Sequence, residues 1–327
     1  MLLNRRLQVV GVSDSDHALA AAVAQGFGTQ AFHDLDELLA LPGLDVLWVA
    51  TPTGAHKATI EAAAGSGVKL VGVEKPVCAD PADIQACYRA VSEAPAPKKL
   101  FCSFQRRFDP HFQAAARAVR DGRIGRPLSV HVVFRDHPMP SIEFLRAGGD
   151  LFHDLAVHDI DYVCSVIGGE IVEVCAFACS SDAELARYGV LDNATCVALF
   201  DNGVRMTMDL SRGSRYGYDQ RVEFFGTEGV AAVENVPAAS AHVANREGFH
   251  RSTAVGWFHE RFSAAFAAEV DEIVRILDGA SAPQVSAQAA CRTTIVAEAM
   301  RLSAVERAPV RIAYDPSAPG RARYTCR

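Results

Sequence analysis

Four apolar runs set the strongest limit on what this chain can fold into. They cover residues 7–12, 45–50, 68–73 and 99–104, and each but the last closes on a polar or proline-containing turn. None alternates with polar residues, so each is expected to be buried on both faces. Strands of that kind, separated by helices, form a parallel sheet covered on both sides. The helices are expected at 17–25, 34–40, 55–66 and 82–92, with a further short strand near Gln30. This order favours a doubly wound α/β sheet, whose ligands sit beyond the carboxyl ends of the strands. Those ends carry Asp14, the Thr51-Pro52 turn and Glu74-Lys75-Pro76.

After Gln105-Arg106-Arg107-Phe108-Asp109-Pro110 the pattern changes. A helix is expected at 111–121 and an alternating strand at 128–134. Further strands follow in quick succession at 171–179, 194–200, 205–211, 220–225 and 230–234. Asp201-Asn202-Gly203 has the residue types of a hairpin turn. Adjacent strands of this kind predict a mixed or antiparallel sheet. Two helices, 258–277 and 287–304, close the fold, and residues 316–327 are expected to fray. The division is therefore a first domain over 1–105 and a second over 106–327.

With 327 residues there is room for two cores. The net charge of −7, without any basic stripe, argues against a nucleic-acid partner. No apolar segment is long enough to span a membrane. Arg5 and Arg6 interrupt the apolar start, so no signal peptide is expected. The nine cysteines are scattered and odd in number, which suits reduced thiols in the cytoplasm. Cys175 and Cys179 lack a second pair or a nearby histidine, so no metal is expected.

The segment from Gly148 to Asp161 reads as a glycine turn leading into a helix. Asp154 and His158 are four apart and project from one face. A carboxylate can orient an imidazole and raise its pKa, and the imidazole can then accept a proton near neutral pH. The plain alternative is a solvated ion pair. Asp14, at the end of the first run, is either an ordinary turn residue or an acceptor for both ribose hydroxyls of NAD, which would repel the 2′-phosphate of NADP. Thr51, Pro52 and His56 either stop a strand and start a helix or shape a backbone ledge for a cofactor. Lys75 precedes a proline through a bond that can be cis. There it can hold a hydroxyl and stabilise the alkoxide formed during oxidation. Arg106 and Arg107 end the last strand of the first domain, where sugar or cyclitol hydroxyls would need donors. Asp136 follows strand 128–134, and Tyr218 lies in Tyr216-Gly217-Tyr218-Asp219.

Taken together, Glu74-Lys75-Pro76, Gln105-Arg106-Arg107-Phe108-Asp109 and Gly148-Gly149 with Asp154-x-x-x-His158-Asp159 resemble the glucose–fructose oxidoreductase/inositol dehydrogenase family. Tyr216-Gly217-Tyr218-Asp219-Gln220-Arg221 and Phe258-x-x-Arg261-Phe262 are similar to its inositol 2-dehydrogenase branch. The resemblance implies a Rossmann domain followed by an α/β domain whose open sheet makes the contacts of a homo-tetramer or homo-dimer. It implies NAD-dependent oxidation of a secondary alcohol on a cyclitol or sugar. His158 would be the base, with Asp154 orienting it and Lys75 holding the reacting hydroxyl. Arg106, Asp136, Asp161 and Tyr218 would line the substrate pocket. Asp14, Thr51, Pro52, His56, Glu74 and Lys75 would meet NAD.

The family begins with a strand and a G-x-G-x-x-G loop, and neither occurs here. Gly26-x-Gly28 follows a helix rather than a strand. The sheet is expected to lose its middle strand, and the cofactor its phosphate anchor. Two readings follow: an inositol dehydrogenase-like enzyme truncated at its N-terminus, or a relative that folds without binding NAD. Within the enzyme class, a sugar or dihydrodiol dehydrogenase is the further alternative.

Overall fold

The computed structural model describes residues 4–146, 149–318 and 320–326, so Gly148 of the glycine turn lies outside the described residues. The chain divides into two compact units. The first runs to Phe104 and takes in Phe266–Cys291 and Ala318–Arg321; the second is Gln105–Ala265, Arg292–Ser317 and Ala322–Arg327.

The first unit follows the strand–helix alternation of the sequence. Its elements are β1 (Gly11–Ser13), α1 (His17–Phe27), β2 (Gln30–Phe32), α2 (Leu35–Leu39), β3 (Val46–Val49), α3 (Thr53–Ala64), β4 (Leu70–Glu74), α4 (Pro81–Ser92) and β5 (Lys99–Ser103). β3, β4 and β5 pair in parallel in that order. Leu70, Val71 and Val73 are fully buried, as the absence of alternation requires. Each such side chain contributes about 1.5–3 kcal/mol by leaving water. Gly72 pairs with Trp48, and a Cβ there would lie 2.3 Å from the indole, so the ring occupies the space that glycine leaves. β1 and β2 form a separate parallel pair, and among the described residues no ladder joins it to β3. The parallel strands thus fall into two sheets, as expected for a doubly wound sheet without its middle strand. Gly26 lies inside α1, and Gly28 caps it in the left-handed conformation with φ 64°.

The second unit is built on one mixed sheet. Its elements are α5 (Pro110–Arg120), β6 (Pro127–Arg135), α6 (Ile142–Arg146), α7 (Val157–Ile167), β7 (Ile171–Cys179), α8 (Ala183–Arg187), β8 (Asn193–Phe200), β9 (Arg205–Ser211), β10 (Asp219–Gly226), β11 (Val230–Val233), β12 (His242–Asn245), β13 (Gly248–Arg251) and α9 (Phe258–Arg261). Then come α10 (Ser263–Leu277), which from Phe266 on belongs to the first unit, α11 (Ala287–Glu306), of the second unit from Arg292 on, β14 (Val310–Tyr314) and β15 (Ala322–Cys326). The eight-stranded order is β11-β10-β6-β9-β8-β7-β14-β15. Only β6–β9 is parallel. β8 alternates buried and exposed, so one face is covered and the other is open. The open face carries Phe177, Val197, Leu199 and Phe225.

Three expectations need correction. Residues 316–327 do not simply fray, because Ala322–Cys326 pairs antiparallel with Val310–Tyr314. The long helix expected at 258–277 is broken into α9 and α10 around Phe262, which is fully buried. The helix carrying Asp154 begins as a π turn, Leu151–Ala156, before α7 continues it. The cysteines are all free, and six of them are buried. No helix among the described residues is long and apolar enough to cross a membrane.

Candidate active site

In the first unit the strand ends are braced by a histidine. His56, on α3, is 1% exposed. Its Nε2 faces the carbonyl of Thr51 at 2.8 Å, and its Nδ1 faces those of Pro76 and Val77 at 3.0 and 3.2 Å. One ring thus ties the loop after β3 to the loop after β4. Those loops carry Thr51-Pro52 and Glu74-Lys75-Pro76, whose Lys75–Pro76 bond is cis. The carboxyl of Glu74 is pushed up by burial, with Lys75 opposing. Asp14 follows β1, and its Oδ1 accepts from the Asp16 N–H at 2.9 Å.

Sequence reasoning missed Glu269, on α10. It is 3% exposed, with Ser103 Oγ 3.0 and 3.1 Å from its two oxygens. An acid on an apolar helix face was the available signal. Burial, then the charge of Glu74, push Glu269 up to about 8. The folded chain therefore holds a proton that the unfolded chain releases above its ordinary value of 4.5. Stability from this group falls as pH rises from there through about 8. Glu269→Gln is expected to match the parent near pH 4 and to exceed it by about 3 kcal/mol at pH 9. Thermal melts across that range check it. A variant less stable at pH 9 would show that the ionised carboxylate is needed.

In the second unit, acids and arginines pair across elements. Arg106 and Arg107 form a single 3₁₀ turn, Gln105–Arg107. Arg107 grips Asp161 through Nε and Nη2 at 2.6 and 2.7 Å, and Asp161 is 1% exposed. Arg106 is equally buried; its Nε lies 3.1 Å from Asp159 Oδ1, and its Nη2 donates to Gln220 Oε1. Gln220 in turn donates to Asp159 at 3.0 Å. Phe134 and Phe262 flank the guanidinium at 4.6 and 5.4 Å. Arg106 Nη1 is buried without a hydrogen-bond acceptor among the described residues. Tyr218 packs edge-on against Phe134 and Phe262, and burial raises its pKa.

Asp154 lies in the π turn and His158 in the first turn of α7. The Asp154 carboxylate accepts from Nη2 of Arg212, a residue sequence reasoning passed over. Arg212 also lies 3.3 Å from Asp136, whose carboxyl burial pushes up and Arg212 pulls back. The second unit therefore brings Asp136, Asp154 and Arg212 into one cluster, and Arg106, Asp159 and Tyr218 into another. The available signal for Arg212 was a cation directly after the alternating strand 205–211.

Two family models match the chain. The NAD-binding Rossmann-fold oxidoreductase family matches residues 1–98, and the GFO/IDH/MocA C-terminal domain matches residues 112–232. The chain is 31% identical to the inositol 2-dehydrogenase of Rhizobium meliloti over 311 residues, 95% of this chain and 93% of that one. It is 30% identical to the myo-inositol 2-dehydrogenase of Thermotoga maritima, over 86% of this chain and 84% of that one. The crystal structure of a putative myo-inositol dehydrogenase from Sinorhizobium meliloti superposes with a TM-score of 0.88 at 30% identity, covering 95% and 93% of the two chains. The chain belongs to the GFO/IDH/MocA family of NAD-binding oxidoreductases.

NAD fits the residues present unevenly. Asp14 places a carboxylate at a strand end, and the braced loops after β3 and β4 carry backbone groups and Lys75. The first strand-to-helix turn does not offer a phosphate cradle. It reads Asp14-Ser15-Asp16, and Asp16 already accepts from the N–H groups of Ala18 and Leu19 at the start of α1.

Proposed function

We propose that this chain oxidises a secondary hydroxyl of a cyclitol, an inositol first among them, with NAD as the cofactor. NAD, when bound, would supply the hydride acceptor. His158 takes the hydroxyl proton, Asp154 orients the imidazole, and Lys75 holds the hydroxyl and stabilises the developing alkoxide. Asp14, Thr51, Pro52, His56, Glu74 and Lys75 are the residues that would hold NAD, and Asp14 favours it over NADP. His56 does so from behind, by bracing the loops. Arg106, with an unsatisfied buried Nη1, Asp136, Asp161 and Tyr218 line the cyclitol pocket. The open sheet face with Phe177, Val197, Leu199 and Phe225 makes a homo-oligomer. Nine free thiols suit a reducing cytoplasm.

The observation that carries this reading is the helix presenting Asp154, gripped by a buried arginine, and His158 four residues on, in a chain aligned along 95% of its length with an inositol 2-dehydrogenase. A second reading, a relative that folds without binding NAD, draws on the acidic cap of α1, Asp16, which already takes the N–H groups of Ala18 and Leu19.

Calorimetry with NAD, on this chain and on one given a family-like first strand and glycine loop, separates the two. The extended chain is expected to bind NAD at least about tenfold more tightly, since it gains a helix N-terminal phosphate site, and to oxidise myo-inositol. A folded extended chain that ignores NAD would sink the cofactor assignment. Sedimentation of the unextended chain should give a multiple of 35.1 kDa.

A further inference from the structure

We infer that Arg212 is a positioning residue of this site, one guanidinium that fixes the carboxylates of Asp154 and Asp136 together with the entry of the helix that carries His158. The inference rests on the reading of Asp154 and His158 given above.

The topology puts Arg212 there. β6 and β9 are parallel neighbours with Arg135 opposite Ser211, and the Asp136 N–H donates to the Ser211 carbonyl at 2.9 Å. Asp136 and Arg212 therefore leave the sheet side by side. Arg212 is 2% exposed. Its Nη2 donates to the carbonyls of Gly149 and Asp150, at 2.5 and 3.0 Å, and to Asp154 Oδ2. Its Nη1 lies 3.3 Å from Asp136 Oδ2. Asp150 caps the π turn, accepting from the N–H groups of Phe152 and His153 at 2.7 and 2.9 Å. The arginine thus holds the backbone just before the first turn and a side chain within that turn.

The chemistry asks for an arginine. Two carboxylates from separate elements meet here, and like charges disfavour joint ionisation. A planar fork can satisfy several acceptors in fixed directions, which a single ammonium cannot. With Arg212 in place, both acids remain acceptors for hydroxyls, and the Asp154 oxygen is set in direction. The other charged groups on this helix entry are paired elsewhere. His153 lies 3.0 Å from Asp150 and 3.5 Å from Glu298 of α11, and Arg301 holds Glu298. None of them substitutes for the guanidinium on Asp136.

The test uses Arg212→Met, Arg212→Lys, Asp154→Asn and the Met/Asn double variant. The first readout needs no turnover: carboxyl carbon titration of Asp154 and Asp136 by NMR. In Arg212→Met both are expected to titrate higher by about one pH unit or more; unchanged titrations would overturn the inference. The second is kinetics on myo-inositol. Arg212→Met is expected to lose about 100-fold in kcat while NAD affinity stays within about threefold and Arg212→Lys recovers part of the loss. Because Arg212 acts in part through Asp154, the double variant should lose clearly less than the product of the two single losses. Losses that multiply would overturn it. Should Arg212→Met not fold, the neutral, hydrogen-bonding Arg212→Gln takes its place in both readouts. Full activity in Asp154→Asn would instead defeat the reading of Asp154, and the titration would still decide Arg212.

Discussion

Replacing His158 with glutamine is expected to lower kcat for cyclitol oxidation by about 10³-fold, the range spanned by a positioned general base. His158 sits in the first turn of α7 with 9% of its surface exposed, in a stretch where every residue from Val157 to Cys164 is buried. Glutamine keeps the volume and a hydrogen-bonding end but cannot take a proton at neutral pH. The residues assigned to NAD all belong to the first unit, and His158 to the second. NAD affinity should therefore stay within about twofold while turnover collapses, a separation that marks loss of a transition-state interaction. The sign of the pH dependence follows. A base works in its neutral form, so parent activity should rise with pH through the imidazole titration, and the variant should lose that rise. Steady-state rates between pH 5 and 9, with NAD titrations beside them, measure both. A loss smaller than tenfold would mean that another group accepts the proton.

The second large effect is on stability. Arg106→Met is expected to cost about 3–5 kcal/mol, the usual penalty for breaking a buried pair from one side. It leaves Asp159, fully buried, with the Gln220 amide alone among the described residues. Burial already pushes Asp159 up to about 6 against the pull of Arg106. Without the guanidinium it should rise further and take a proton. The folded variant then holds a proton that the unfolded chain has released above its ordinary value of 3.8, so its stability falls as pH rises. The variant should be least impaired near pH 5 and most impaired near pH 8. Urea unfolding at the two values checks it. Arg106→Met with Asp159→Leu should recover much of the loss, since an apolar pair of similar volume removes the stranded charge. If the single variant unfolds like the parent, the pair contributes no net stability.

Much of the architecture was legible because it depends on local pattern. β4 reads Leu70-Val71-Gly72-Val73 without a polar break, and only a strand covered on both faces tolerates that. Asp201-Asn202-Gly203 joins β8 to β9 because those residue types suit a tight turn. Less legible were the elements without an apolar signature. β12 and β13 are exposed at every position, and β15 is placed by pairing with β14.

By itself, then, the sequence determined the parallel strands, the helix bearing Asp154 and His158, and which residue types cluster at strand ends. All of these follow from periodicity and turn chemistry within a few residues. Only the tertiary structure decided which charge meets which. Arg106 and Arg107 are neighbours, yet they take Asp159 and Asp161 separately, and Arg212 reaches back to Asp136 and Asp154. Such partners are 50 to 80 residues apart in the chain (|i−j| 54 to 76 for the bonded pairs). Their meeting depends on sheet register and on the turn that starts the helix, and no local pattern encodes either.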